Sequence, residues 1–207
     1  MSKPSVFIIF LTVFIDLIGF GIVLPLIPIF SRDFGASETL GGVIMAAFSA
    51  MQFVCAPFWG RLSDRIGRRP VILIGLAGSA LSYVVFAIAS GLQGEAKEYA
   101  LWVILGSRML AGVMGANISV AQAYMADITP PEKRSKSMGL IGMAFGLGFI
   151  LGPFIGAQSL SWLGLQGPGW VASGICGFAF LFAAVKLKES RGEATTKAEQ
   201  RPHLQQI

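Results

Sequence analysis

The chain has 207 residues, of which 54% are hydrophobic and 13% charged. A soluble domain carries roughly twice that share of charge, so a water-soluble enzyme is excluded and an all-α integral membrane protein is expected. The formal net charge of +5 sits mostly in short segments between apolar runs, which makes it a topology signal rather than a nucleic-acid surface.

About twenty apolar residues are needed to carry a helix across ~30 Å of hydrocarbon, and six runs qualify. The first extends from Val6 to Phe30 and carries Asp16, Pro25 and Pro28. Its length, and the lack of a small-residue cleavage site after a short core, mark a retained helix rather than a signal peptide. The second runs from Thr39 to Trp59, with Ser37 placed to cap it. The third runs from Val71 to Ser90, and the fourth from Tyr99 to Met125 with Arg108 inside it. The fifth, Ser137 to Trp162, is rich in glycine; the sixth, Trp170 to Leu187, follows a turn expected at Gly167-Pro168-Gly169.

Between the second and third runs lies GRLSDRIGRRPVIL, which reads as a tight loop. Gly60 and Gly67 supply the backbone freedom, and Pro70 stands where a helix can start. Thirteen of the sixteen Lys and Arg fall on this loop's side of the membrane, two on the other, and Arg108 within a helix. That bias puts this side, and both termini, in the cytoplasm. After Lys188 the chain turns polar and aperiodic, so residues 1–188 are expected to form the bundle and 189–207 a polar tail or the start of a linker.

Asp16 and Arg108 are the two ionisable residues deep in helices. Each would cost several kcal/mol facing lipid at the bilayer centre. Counted at 1.5 Å per residue, both lie roughly 15 Å from their nearer boundary, close to the midplane. Opposite charges at one depth fit either a static ion pair or a titratable site in a cavity. Asn117, Gln122 and Tyr124 could line that cavity, or simply bond between helices. In the fifth run Gly148, Gly152 and Gly156 recur every four residues, so one face permits close helix approach. Pro153 frees a carbonyl and favours a kink there. Cys55 and Cys176 fall in apolar runs and read as small core residues, and the one histidine, His203, is in the polar tail. No metal site or cofactor is expected.

Several stretches together resemble one family. GRLSDRIGRRP is similar to the loop signature of the major facilitator superfamily, and DLIGFGIVLPLIP to its opening helix. GSRMLAGVMGA resembles the R-x-x-x-G motif of the drug/proton antiporter branch, GFILGPFIG its G-P-x-x-G motif, and YMADITPPEKR the stretch after its fourth helix. The likeness extends to about Ser190 and leans toward bacterial tetracycline/proton antiporters. It implies six transmembrane helices forming one half of the transporter fold, the N-terminal one, in the inner membrane. It implies efflux of small amphipathic molecules driven by the proton gradient. It assigns Asp64, Arg68 and Asp127, with Gly60, Arg65, Gly67 and Arg69 around them, to a cytoplasmic gate. It gives Arg108 to proton coupling, Asp16 to the cavity, and Gly152, Pro153 and Gly156 to the antiporter seam.

Two departures stand out. Tetracycline antiporters carry an Asp where this chain has Ser82, which opens the assignment to other substrates. The superfamily has two six-helix halves, and this chain has one. A second half is therefore the expected partner, as a missing C-terminal half, a partner chain or, less favoured, a second copy. The alternatives are a non-transporting fragment or accessory membrane subunit, and an intramembrane serine protease. The last needs a base inside the membrane, and no run contains His.

Overall fold

A computed structural model describes residues 6–94 and 97–190. Every regular element among them is helical: α1 (Val6–Val23), α2 (Ile27–Asp33), α3 (Glu38–Ile66), α4 (Arg68–Ser90), α5 (Lys97–Gly115), α6 (Ile118–Ile128), α7 (Arg134–Leu163) and α8 (Gly167–Lys186). They make six spans, because α1 and α2 form one broken rod and α5 and α6 another. His203 and residues 191–207 lie outside the described residues.

The spans overrun the expected boundaries, and each overrun has a local cause. The first continues to Asp33, with a 3-10 turn at Leu24–Leu26 where Pro25 removes a helical donor. Ser37 caps α3 as expected, its hydroxyl accepting from the Leu40 N–H at 3.2 Å. At its other end α3 runs through Gly60, Arg61, Asp64 and Arg65, so the expected loop collapses to one residue. That residue is Gly67, at φ 103° and ψ 157°, a region open to glycine and strained for other residues. Gly60 is plain helix. The chain turns again at Arg68, placing Pro70 in the first turn of α4.

Two further expectations change. Gly167-Pro168-Gly169 is not a turn but the first turn of α8. Its glycines serve close approach: a Cβ on Gly169 would meet Ala87 of α4, and one on Gly167 would run into the Ser159 carbonyl of α7. Pro153 lies inside α7, yet the helix runs unbroken from Arg134 to Leu163.

In the bundle α1 packs on α7 and α8, α4 on α5 and α8, and α3 on α5. Two apolar clusters fill it. One, with Ile9, Val13, Trp59, Ile72, Leu76, Val120, Tyr124 and Met125, lies toward the arginine-rich end. The other, with Ile22, Leu26, Phe30, Ile44, Tyr83, Phe86, Ile104 and Cys176, lies toward the opposite end. Asp16 falls between them along α1. Burial is uneven: in spans two and five only 17% and 22% of the apolar window is covered, against 50–56% in spans one, three and four. Phe53, Val54 and Phe58 of α3, and Ile150 and Phe154 of α7, are largely exposed.

The glycine seam of α7 is fully spent inside this bundle. Gly148, Gly152 and Gly156 are buried, and Cβ atoms there would strike Leu17, Gly21 and Ile22 of α1. Small residues at this crossing let two backbones touch. The seam is thus not exposed for a second copy to cover.

Candidate functional site

The arginine-rich end is a web of bonds centred on Arg68. Its guanidinium reaches Asp64 at 2.8 Å and Asp127, at the end of α6, at 3.1 Å. The same nitrogen that meets Asp64, Nη1, also donates to the Ser63 hydroxyl, which itself donates to the Gly60 carbonyl at 2.7 Å. Asp64, Arg68 and Asp127 thus meet as expected. Arg69 turns the other way and donates to the Ala184 carbonyl of α8 at 2.7 Å. Arg65 is exposed.

The segment after α8 joins this web, which composition did not reveal. Glu189 accepts from the backbone N–H groups of Arg68 and Arg69 at 2.9 and 3.1 Å. An anion there satisfies orphan donors and faces the positive end of the α4 dipole. Ser190 is buried and donates to Asp127 at 3.3 Å. The Tyr124 hydroxyl donates to the Lys188 carbonyl at 2.6 Å. The first two residues of the expected tail are therefore fastened to the bundle. Tyr124 belongs to this end, not to the central cavity.

The centre is built differently. A cavity of about 230 Å³ opens between α1, α3, α4, α5, α6 and α7. Asp16, Gln52, Ser49, Ser79 and Tyr83 supply its polar groups. Its aromatic wall is Phe20 with Phe48 and Phe149, ring centroids 4.6 and 5.8 Å away. The Cys176 thiol of α8 donates to the Asp16 carboxylate at 3.5 Å, so this cysteine is more than a filler.

Arg108 is fully buried beside this region but does not line the cavity. It does not pair with Asp16; its polar neighbour is Tyr83, at a geometry short of a well-directed hydrogen bond. Its guanidinium instead lies over the rings of Tyr83 and Phe86, 5.2 and 5.3 Å from their centroids. Such cation–π contact offsets part of the desolvation of the charge. Depth placed Asp16 and Arg108 on one level; Tyr83, which lines the cavity, also lies against the cation.

The R-x-x-x-G stretch explains how α5 meets α3. A Cβ on Gly112 would collide with the Phe48 carbonyl, so the helices touch there. One turn later the span breaks at Ala116-Asn117, and α3 repairs the break. Trp59 donates to the Val113 carbonyl at 2.6 Å, and Gln52 to the Gly115 carbonyl at 3.0 Å. Broken helices persist in membranes only when neighbours satisfy the freed groups. Asn117 lies across Gly75 of α4, where no Cβ would fit. Gln122 is exposed on the bundle surface and does not line the cavity. Ser82 is buried and bonds its own helix, donating to the Ser79 carbonyl at 2.7 Å.

Sequence reasoning missed Phe20, Phe48, Gln52, Tyr83, Phe149, Cys176 and Glu189. Aromatic and apolar residues are so common in spans that no composition signal separates a cavity wall from a core. Glu189 carried a legible signal, as the first acid after the sixth span opposite an arginine cluster.

Comparison with known proteins agrees with this arrangement. A profile of the Major Facilitator Superfamily matches residues 9–206. The class C tetracycline resistance protein of Escherichia coli is 36% identical over 204 residues, covering 97% of this chain and 48% of that protein. Major facilitator superfamily domain-containing protein 10 of Homo sapiens is 36% identical, covering 90% of this chain and 43% of its own length. The crystal structure of the human organic anion transporter MFSD10 (TETRAN) superposes with a TM-score of 0.72 at 34% identity, over 89% of this chain and 47% of that one. A D-xylose–proton symporter shares the fold, with a TM-score of 0.70 at 21% identity, over 94% of this chain and 51% of that one. The chain spans about half the length of the relatives it matches.

Proposed function

This chain belongs to the Major Facilitator Superfamily, a family of transporters rather than enzymes, and on that premise we propose that it is one half of a proton-coupled exporter of small amphipathic molecules. The observation that carries the reading is the cavity itself: about 230 Å³, with aromatic and aliphatic walls and one carboxylate, Asp16. Pockets for drug-sized ligands have this make-up, mostly apolar with a few placed polar groups. Spans two and five both line this cavity and leave much of their apolar surface uncovered, which a second six-helix half would cover as it closes the cavity. In this superfamily the two halves are parallel repeats about an axis along the membrane normal. The arginine-rich end then faces the cytoplasm, and Arg68 with Asp64 and Asp127 forms the gate that holds that end shut. Asp16 takes up and releases the proton, with Arg108 assisting; the setting is the inner membrane.

A tetracycline-like cargo follows the relatives, and Ser82 in place of an acid leaves room for others. The test expresses the chain alone and fused to the C-terminal half of the class C tetracycline resistance protein, in everted vesicles. Tetracycline and an anionic dye serve as probes. Uptake of a probe that requires both the pH gradient and the second half is expected. Flux by the chain alone, scaling with a crosslinked dimer, would overturn the half-transporter reading and establish a homodimer. No pH-dependent uptake by a correctly inserted fusion would favour a non-transporting subunit.

A further inference from the structure

Asp16 borders two cavities, not one. The large cavity meets it through Leu17 and Phe20 on α1, and through Ser79 and Tyr83 on α4. A second, narrow cavity meets it through Thr12 and Val13 on α1, Ile72 and Leu76 on α4, and Asn117, Ile118 and Ala121 across the α5–α6 break. On α1 and α4 alike, the second set lies nearer the arginine-rich end. The two cavities thus abut Asp16 from opposite directions along the bundle.

The narrow cavity has a volume of about 10 Å³. One water occupies roughly 10–15 Å³ and needs two to four polar partners, so about 10 Å³ of room for water centres suffices for one. Three polar side chains line the space: Asp16, Thr12 and Asn117. The Thr12 hydroxyl already donates to the Ile8 carbonyl at 2.9 Å, so its oxygen is left to accept. The Asn117 amide can donate and accept, and its side chain packs against Gly75.

We propose that this narrow cavity is a site for a single ordered water, hydrogen-bonded to Asp16, Asn117 and Thr12 on the side of the carboxyl away from the large cavity. The same water suits both protonation states. It donates to the ionised carboxylate, or accepts from the protonated acid, while Asn117 and Thr12 take its remaining bonds. The consequence rests on the transport reading: an apolar cargo in the large cavity strips solvent from one face of Asp16, and this water keeps the other face hydrated.

The test is infrared spectroscopy on the purified full chain in detergent, reading the Asp16 carboxyl band and its rate of hydrogen–deuterium exchange. The band is assigned as the one lost in Asp16→Asn. Asn117→Leu fills the site and removes one partner; it is expected to move the band to higher frequency and slow exchange about tenfold, the scale of one net hydrogen bond. Thr12→Val does the same to a smaller extent, and Thr12→Ser restores wild-type exchange. An unshifted band together with exchange within twofold of wild type in Asn117→Leu would overturn the proposal. A moved band with unslowed exchange would also overturn it, since it would mean a direct amide–carboxyl bond with no water between. No transport is required, so failure here is separate from failure of the transport reading.

Discussion

Arg68 and Arg108 are two arginines in one bundle with opposite fates. Arg68, near the membrane surface, spends its guanidinium on two carboxylates and a hydroxyl. Arg108, near the midplane, spends its charge on two rings and makes no well-directed hydrogen bond. Charges bonded on every side hold a structure in place. A buried charge held mainly by ring faces costs energy to keep, and such a group is free to change partners. The contrast therefore separates a region built to hold from a region built to respond.

The largest expected effect breaks the responding region. Asp16→Asn keeps the shape of the side chain and removes its titration. In the fused, complete transporter, pH-driven uptake should fall about a hundredfold or more, the lower range for losing a proton-transferring group. Probe binding measured without a gradient should survive. Full gradient-driven uptake by the variant would remove Asp16 from the mechanism.

Arg68→Ala breaks the holding region. Hydrogen bonds to charged groups contribute ~1.5–3 kcal/mol each when buried, and the Asp64 side chain is 61% exposed and screened, so thermal unfolding in detergent should show a loss of about 2–3 kcal/mol in total. Accessibility labelling should shift toward exposure of the arginine-rich end. An unchanged melting curve together with unchanged labelling would deny that this web closes anything.

Arg108→Met sharpens the contrast, because it should move stability the other way. Replacing a buried, poorly bonded charge with an apolar side chain is often neutral or stabilising by about 1 kcal/mol or more. The same detergent melt should hold or rise, while coupled uptake drops. A loss as large as that of Arg68→Ala would mean that Arg108 is structural.

Glu189→Gln is the mildest change. It leaves one acceptor oxygen where Glu189 offers two, one to each of the Arg68 and Arg69 N–H groups, and removes the charge facing the α4 dipole, which by itself is an effect of about 0.3–1 kcal/mol at a helix terminus. A melt indistinguishable from that of Glu189→Ala would show that the strap after α8 contributes little.

What the sequence determined by itself is whatever depends on position along one helix. Apolar length and charge placement define six spans, since insertion responds to local composition. Depth follows by counting residues, which put Asp16 and Arg108 near one level. The charge of the stretch from Arg61 to Arg69 was legible in the same way, whereas its meeting with Asp127 was expected only from the family resemblance. Ser37, too, was readable as a cap from its neighbours in sequence.

Only the tertiary structure decided what depends on rotation about each helix axis and on which helices touch. Asp16 and Arg108 share a depth but not a partner, because Tyr83 and Phe86 occupy the space around the guanidinium. Gln122 faces outward and Tyr124 toward Lys188, although both sit on the span that was expected to line the cavity. The helix break at Asn117 depends on Trp59 and Gln52 reaching over from α3. Gly148, Gly152 and Gly156 meet α1, a choice no spacing rule can make. A helix's rise is fixed by its own backbone bonds, whereas its facing is fixed by the neighbours it packs against, and those neighbours are distant in sequence.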